Sequence, residues 1–481
     1  MATLSAQFNQ VLHDRFGFDQ FRPGQLETLE ALFTGQPTLA VLPTGAGKTL
    51  LYQLPAYLLQ GPILIVSPLI SLMQDQLNRL RQQDFKRAVM LNSTISYRDR
   101  QLIINHLSDY QFIFTSPEML VKEANLKAFQ RTGIAMMVID EAHCISQWGP
   151  DFRPEYLLLK DVIKTLNPPK LLMLTATATP VTRQDIISRL GLDTTLVKQI
   201  IQSVNRENIF LAVEEVANPD EKRDRLLELI QQLGGQGIIY FSSRSLANEM
   251  AAYLSIATDY QVAAYHAGIS DVDRYRIQQQ FMHDEIQVVC ATSAFGMGID
   301  KDNIRYVIHY HLPNSLENYV QEIGRAGRNG QPSLAILLYA PGDIQIPRLL
   351  STVEVPPISV MEGYLKRAVP QEALGPQAEV IAFYLTHQIS PQVVEQLFQV
   401  QTQKSQERLA KMVNYIQTKT CRRQIILNYF GETQVVKSEK CCDRDQENWT
   451  IEDLKLPEEV PIRPPVQQLD WQAKLNSFFN L

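Results

Sequence analysis

The stretch Leu42-Pro43-Thr44-Gly45-Ala46-Gly47-Lys48-Thr49 constrains this chain most. It follows the apolar run Thr38-Leu39-Ala40-Val41 and precedes the helix-like Leu50-Leu51-Tyr52-Gln53-Leu54. A strand that enters a glycine loop and leaves as a helix is a phosphate cradle. Gly45 and Gly47 let backbone N–H groups turn inward on an anion, with Thr44 and Ala46 completing the loop, and the helix start adds partial positive charge. Lys48 reaches the outer phosphates, and Thr49 offers a hydroxyl to Mg²⁺. The strict pattern asks for glycine at Leu42, so the match is to the Gly-Lys-Thr core.

More strands follow. Pro62–Val66 ends in Ser67-Pro68, Gln111–Phe114 in Thr115-Ser116, Ile134–Ile139 in Asp140-Glu141-Ala142-His143, and Leu171–Leu174 in Thr175-Ala176-Thr177. Continuous apolar runs that turn polar at their carboxyl ends predict a parallel sheet with helices on both faces and ligands at that edge. Asp140, at a strand end beyond a Gly-Lys-Thr loop, is the expected second anchor for Mg²⁺, and Glu141 is placed to orient and deprotonate water. Before the loop, Phe18, Arg22 and Gln25 admit two roles. A ring and an amide can select adenine, or the stretch is an apolar staple before a helix from Pro23, which the residues alone favour.

From about Ser203 to Asn208 the pattern lapses, then a second α/β alternation begins. Its strands Ile209–Val213, Gly237–Phe241, Gln261–Tyr265 and Ile286–Cys290 lead to Ser243-Arg244, His266 and Thr292, with no second phosphate loop. Gln321-Glu322-Ile323-Gly324-Arg325-Ala326-Gly327-Arg328 places two arginines three apart, expected on one helix face. The 481 residues allow several domains, and 45% hydrophobic with 20% charged residues is globular usage. A net charge of −6 argues mildly against nucleic acid but permits a local basic groove. No apolar run approaches the roughly 18 residues of a membrane span. The five cysteines fit a reducing compartment, so a cytoplasmic protein with no membrane partner is expected.

Gly45–Thr49, Asp140–His143 and Thr175–Thr177 resemble motifs I, II and III of superfamily 2 helicases. Phe21–Gln25 and the aromatic stretch Cys144–Tyr156 resemble the RecQ family of that superfamily. Residues 294–301 resemble its motif V, and 321–328 its motif VI. The resemblance implies two RecA-like lobes, 1–205 and 206–345, closing on ATP. It implies 3′–5′ translocation on single-stranded DNA and unwinding of forked or junction DNA in recombination and repair. By it Arg325 and Arg328 are arginine fingers, and Asp300 lies near the ribose. Trp148 and Phe152 stack on bases beside Arg153. His143, Ser67, Thr115, Thr175, Thr177, Arg244, His266, Thr292 and Gln321 bind or couple DNA. An RNA unwinder is the rival within the enzymes, disfavoured by the aromatic loop. An ATP-gated DNA-binding module that hydrolyses without separating strands is the rival outside them. Protein partners are not legible.

Residues 346–445 are expected to be helical, with Val393-Val394-Leu397-Phe398 and Leu409-Met412-Val413-Ile416 as core stripes. Cys421 to Glu432 resembles the start of the RecQ zinc-binding region, which expects four cysteines. Cys442-Asp443 fits that pattern, but Glu439 and Asp445 stand where cysteines belong. A mixed zinc site of Cys421, Glu439, Cys442 and Asp445 is one outcome, and a subdomain that has lost its metal is the favoured one. Cys441 is the weaker candidate, because adjacent cysteines rarely reach one tetrahedral ion. Residues 446–481 are expected to be an extended tail ending in an apolar patch (Leu469, Trp471, Leu475, Phe478, Phe479), and the resemblance implies a short form without winged-helix or HRDC domains.

Overall fold

The structure, a computed structural model, describes residues 2–68, 70–82, 85–146, 154–296, 301–351, 354–433, 441–446 and 448–457. Trp148, Phe152, Arg153, Asp300, Glu439 and the apolar patch near the C-terminus lie outside them. Contacts divide the chain into two units. Met1–Glu207, Pro313–Arg325 and Gly342–Asp445 form the first, and Asn208–Leu312, Ala326–Pro341 and Gln446–Leu481 the second.

The first unit holds a seven-stranded parallel sheet of β1 (Thr38–Val41), β2 (Ile63–Val66), β3 (Ala88–Leu91), β4 (Phe112–Thr115), β5 (Met136–Ile139), β6 (Leu171–Thr175) and β7 (Lys198–Ile201), in the order β3-β4-β2-β5-β6-β1-β7. Its apolar runs are continuous because both faces are covered. Leu39, Val41, Leu64, Val66, Met137, Ile139 and Met173 pack into one core, while Ala40, Ile63, Ile65, Met136, Val138, Leu172 and Leu174 pack into the other. Each fully buried aliphatic side chain contributes about 1.5–3 kcal/mol. β7 escapes the apolar pattern as an edge strand with only Ile200 buried. In register, Val41 stands beside Thr175 and Ile139 beside Met173. β6 therefore runs two residues beyond β5, which brings Thr175 level with the Asp140-Glu141 turn.

A helical layer completes this unit. Both apolar stripes belong to one helix, Pro391–Gln417, which buries Val394, Phe398, Leu409, Met412, Tyr415 and Ile416. Val393 corrects the expected stripe: it is 43% exposed, because Val394 is the residue that turns inward. Within the same unit the helix Leu316–Ile323 is tied down by Tyr319 Oη to Tyr415 Oη at 3.0 Å and by Tyr429 Oη donating to Glu317 at 2.7 Å. Burial raises the Tyr429 hydroxyl far above its ordinary pKa, keeping it a donor.

The second unit holds a six-stranded parallel sheet of β8 (Ile209–Glu215), β9 (Gln236–Tyr240), β10 (Val262–Tyr265), β11 (Val288–Ala291), β12 (Ile304–His309) and β13 (Ser333–Tyr339), ordered β10-β11-β9-β12-β13-β8. Gly237 in β9 is required by packing, since a Cβ there would stand 1.9 Å from the Tyr306 ring. The start of the expected tail is not extended. Trp449, Ile451, Leu454 and Leu456 pack on this unit's core, with Trp449 and Phe210 ring centroids 4.9 Å apart. Among the described residues no helix is long and apolar enough to cross a membrane.

Candidate functional site

The phosphate loop is braced from behind. Gly45 and Gly47 have φ of 83° and 71°, which L side chains rarely adopt, so glycine is what lets the loop curl. Gln25, 3% exposed, donates through Nε2 to Ala46 O at 2.9 Å and Gly47 O at 3.1 Å, and its Oε1 accepts from Arg22 N at 2.9 Å. The Arg22 guanidinium donates to Gly45 O. Gln25 thus holds the loop, while Phe18 is exposed beyond it. The helix begins at Gln25, not Pro23. Lys48 Nζ folds over the strand end, 3.1 Å from Leu42 O. The helix after Thr49 is a single α turn, Leu50–Gln53, continued as a 3₁₀ turn, so its dipole is weaker than a long helix would supply.

Opposite Lys48, Asp140 Oδ1 accepts from Glu141 N at 2.9 Å. Glu141 has φ of 49°, a left-handed backbone uncommon outside glycine and a form of local strain that gathers at working sites. Burial, then the Glu141 carboxylate, pushes Asp140 up to about 7 against the pull of Lys48. Burial also opposes ionisation of Glu141, yet His143, Lys48 and Arg325 outweigh it and hold its carboxyl below the usual range. His143 Nδ1 lies 3.2 Å from Glu141 Oε2 and 2.9 Å from Thr175 Oγ1. Burial opposes its charge too, but Cys144 and Glu141 raise it well above an ordinary imidazole. Thr175 Oγ1 donates on to Thr177 O at 3.1 Å. The strand ends of β5 and β6 are one hydrogen-bonded unit.

Arg325 belongs to this group. It is 4% exposed, and its charge acts on Glu141. Gly324 O, one residue earlier, accepts from Thr44 Oγ1 of the phosphate loop at 2.8 Å and from Arg206 Nη1 at 2.9 Å. The two arginines do not share a helix face: the helix stops at Ile323, and Arg325 and Arg328 fall in the turns that follow. Gly324 caps it. Gly327, at φ 55°, donates its N–H to Ile304 O, and contacts group Arg325 with the first unit and Arg328 with the second.

Other expected residues are dispersed. Gln321 is half-buried on the helix Leu316–Ile323. Thr115 is fully buried and spends its hydroxyl on Leu91 O at 2.9 Å, whereas Ser67, 1% exposed, has a hydroxyl that meets no hydrogen-bond partner among the described residues. In the second unit Arg244, His266 and Thr292 follow the adjacent strands β9, β10 and β11. His266 Nε2 lies 3.1 Å from Asn248 Oδ1, and burial followed by the Arg244 charge lowers its pKa.

The cysteines form a second candidate site. One ligand atom each from Cys421, Cys441, Cys442 and Asp445 lies within 4.8 Å of the others. Cys421 Sγ is 3.5 Å from Cys441 Sγ and 3.9 Å from Cys442 Sγ, and Cys442 Sγ is 3.2 Å from Asp445 Oδ2. A tetrahedral zinc with Zn–S near 2.3 Å sets its sulfurs about 3.8 Å apart, so the donors fit. Cys441, the weaker candidate by sequence, is in the cluster: its thiol and that of Cys442 both lie against Cys421, just ahead of the turn that Asp445 N closes on Cys442 O. Arg422 anchors this turn, fully buried and paired with Asp443, its Nε 2.5 Å from Oδ1. Arg206, Arg422 and Arg423 escaped the sequence analysis, because single arginines have no period to mark them. The one available signal was the Arg422-Arg423 pair beside Cys421.

Three family models match the chain: DEAD/DEAH box helicase over residues 22–186, helicase conserved C-terminal domain over 221–330, and RecQ zinc-binding over 386–446. The probable ATP-dependent DNA helicase RecS of Bacillus subtilis is 39% identical over 494 residues, covering 99% of this chain and 98% of that protein. The ATP-dependent DNA helicase RecQ of Haemophilus influenzae is 36% identical over 433 residues, 90% of this chain and 62% of its own length. In fold the chain resembles Mycobacterium smegmatis helicase Lhr bound to single-stranded DNA and AMP-PNP, with TM-score 0.59 and 21% identity over 76% of this chain and 53% of that one. It also resembles Mss116p bound to single-stranded RNA and AMP-PNP, with TM-score 0.60 and 17% identity over 88% of each. With two RecA-like parallel sheets, ordered strand-end motifs and a relative matched almost end to end, this chain belongs to the RecQ family of superfamily 2 helicases.

Proposed function

We propose that the protein is an ATP-dependent DNA helicase that couples hydrolysis to 3′–5′ translocation on single-stranded DNA and to unwinding of forked or junction DNA. The observation that carries this is the meeting of Lys48, Asp140, Glu141 and Arg325 within one unit, behind a glycine loop braced by Gln25. Lys48 and the loop N–H groups bind the phosphates of ATP. Glu141, kept ionised despite burial, accepts the proton of the attacking water. Arg325 sets positive charge against the transferred phosphoryl, an effect worth about 10³–10⁵ in rate where an arginine finger is removed. Asp140 and Thr49 are the residues that would hold Mg²⁺. The fit rests on a buried carboxyl that burial and Glu141 push towards neutrality, since a hard cation beside it restores its charge. When bound, Mg²⁺ neutralises phosphate charge.

The His143–Thr175 bond links the hydrolytic carboxylate to the strand end whose threonines we assign to DNA coupling. Cys421, Cys441, Cys442 and Asp445 would hold a zinc ion, which supplies a structural cross-link. Elemental analysis should find about one zinc per chain, and none would remove that assignment. The main test is strand separation on forked, 3′-tailed and junction DNA beside ATP hydrolysis. Unwinding of the 3′-tailed, forked and junction substrates supports the proposal, and DNA-stimulated hydrolysis without any strand separation replaces it with an ATP-gated binding module.

A further inference from the structure

The cysteine cluster and the phosphate loop lie far apart in sequence, yet a continuous run of hydrogen bonds joins them within the first unit. Arg423, 3% exposed, donates through Nε to Cys441 Sγ at 3.2 Å and through Nη2 to Cys441 O at 3.3 Å. Its Nη1 donates to Arg206 O at 2.8 Å and to Asn205 Oδ1 at 2.9 Å. Arg206 in turn donates through Nη1 to Gly324 O, the carbonyl that also receives Thr44 Oγ1. That carbonyl immediately precedes Arg325. Moreover, Gly324 has no room for a side chain, since a Cβ would stand 2.6 Å from Thr44 Oγ1, so its backbone position is fixed closely against the loop.

We propose that Arg423 and Arg206 are positioning residues that make the placement of Arg325 and Thr44 depend on the ligation state of the cysteine cluster. A ligated Cys441 would have its sulfur fixed beside Cys421, Cys442 and Asp445, which sets the direction in which Arg423 donates, and outer partners of this kind orient both the ligand and what lies behind it. The rigid guanidinium fork of Arg423 then fixes the Arg206 backbone, because its donors engage sulfur and oxygen in set directions. Arg206 relays that position to Gly324. In an unligated cluster the Cys441 sulfur would be held by the chain alone, and the fork of Arg423 would lose its fixed point. Hydrolysis slows although neither arginine touches ATP.

This proposal rests on the phosphate-site assignment above. The test uses the full chain, with DNA-stimulated ATP hydrolysis, zinc content and thermal melting measured for each variant. Arg206→Ala should lower kcat about tenfold, in the range of coupling between contacting residues, with KM for ATP within about twofold and zinc content at the wild-type level. Stripping zinc with a chelator should lower wild-type kcat by a similar factor and cost Arg206→Ala little more, because both break one chain. Arg206→Lys, which keeps one donor for the one carbonyl, should recover most of the loss. Arg423→Lys, whose single ammonium cannot serve the sulfur and three oxygens that the guanidinium reaches, should not. Factors for zinc removal and Arg206→Ala that multiply, or wild-type kcat in Arg206→Ala or Arg423→Lys, would overturn the proposal. Should Arg206→Ala fail to fold, Arg423→Lys with and without chelator makes the same comparison. Lys48→Ala separates the two claims. Its retention of hydrolysis defeats the phosphate-site assignment, whereas its loss beside a fully active Arg206→Ala defeats the relay alone.

Discussion

The two sheets share one architecture and differ in what they bury at their carboxyl edge. His143 and His266 make the comparison sharp. Both are nearly buried beyond a strand end, at 5% and 6% exposure. His143 sits against Glu141, and its partners overcome burial to favour the imidazolium. His266 sits near Arg244, and burial and like charge both favour the neutral ring. The same fold thus makes opposite electrostatic environments, because a parallel sheet supplies an edge while the residues placed there decide its charge. The first edge is strained at Glu141 and packed with ionisable groups, as hydrolysis demands. The second exposes Arg244 and lacks a Gly-Lys-Thr loop.

The contrast can be broken in graded steps. Lys48→Ala should abolish DNA-stimulated ATP hydrolysis, a loss of about 10³ or more in kcat by steady-state assay, since the loop loses the charge that meets the phosphates. Retention of activity would place the chemistry elsewhere. Glu141→Gln should lower kcat by about 10²–10⁴ while leaving nucleotide affinity near wild type, as removal of a general base does. A matching loss of affinity would mean that Glu141 binds rather than reacts. At the second edge Arg244→Ala should raise the DNA concentration for half-maximal stimulation by about threefold to tenfold, with the KM for ATP unchanged. A change confined to KM for ATP would erase the division of labour. The smallest effect is Gly237→Ala. It should cost about 1–3 kcal/mol in denaturant unfolding by overpacking against Tyr306, and spare the catalytic constants of whatever folds.

Strand ends were legible because their signal is local. Ile134–Ile139 reads as a buried strand before any neighbour is known, and Asp140-Glu141 then stands where a parallel sheet gathers ligands. The arginine pair was misplaced for an equally definite reason. A spacing of three predicts a common helix face, but the helix ends at Ile323 with Gly324 as its cap, and Gly327 bonds to Ile304. Gln25 was read as a selector of adenine or part of an apolar staple, and its bonds to the loop were not readable. Its amide faces Ala46 and Gly47, 21 and 22 residues ahead, and no periodicity reports a turn closing back on a side chain. Cys441 was discounted on adjacency to Cys442, although its Sγ lies 3.5 Å from Cys421 Sγ and that of Cys442 3.9 Å from it.

The amino-acid order alone determined two α/β lobes, the phosphate loop and the acidic strand end, because apolar runs and turn residues act over a few neighbours. Only the tertiary structure decided which donors surround the cysteine cluster, where Arg325 points its charge, and how Arg423 reaches Gly324 through Arg206. Those bonds join residues 217 and 118 positions apart. Such pairings are fixed by the packing of whole elements, so no short stretch of the chain carries their mark.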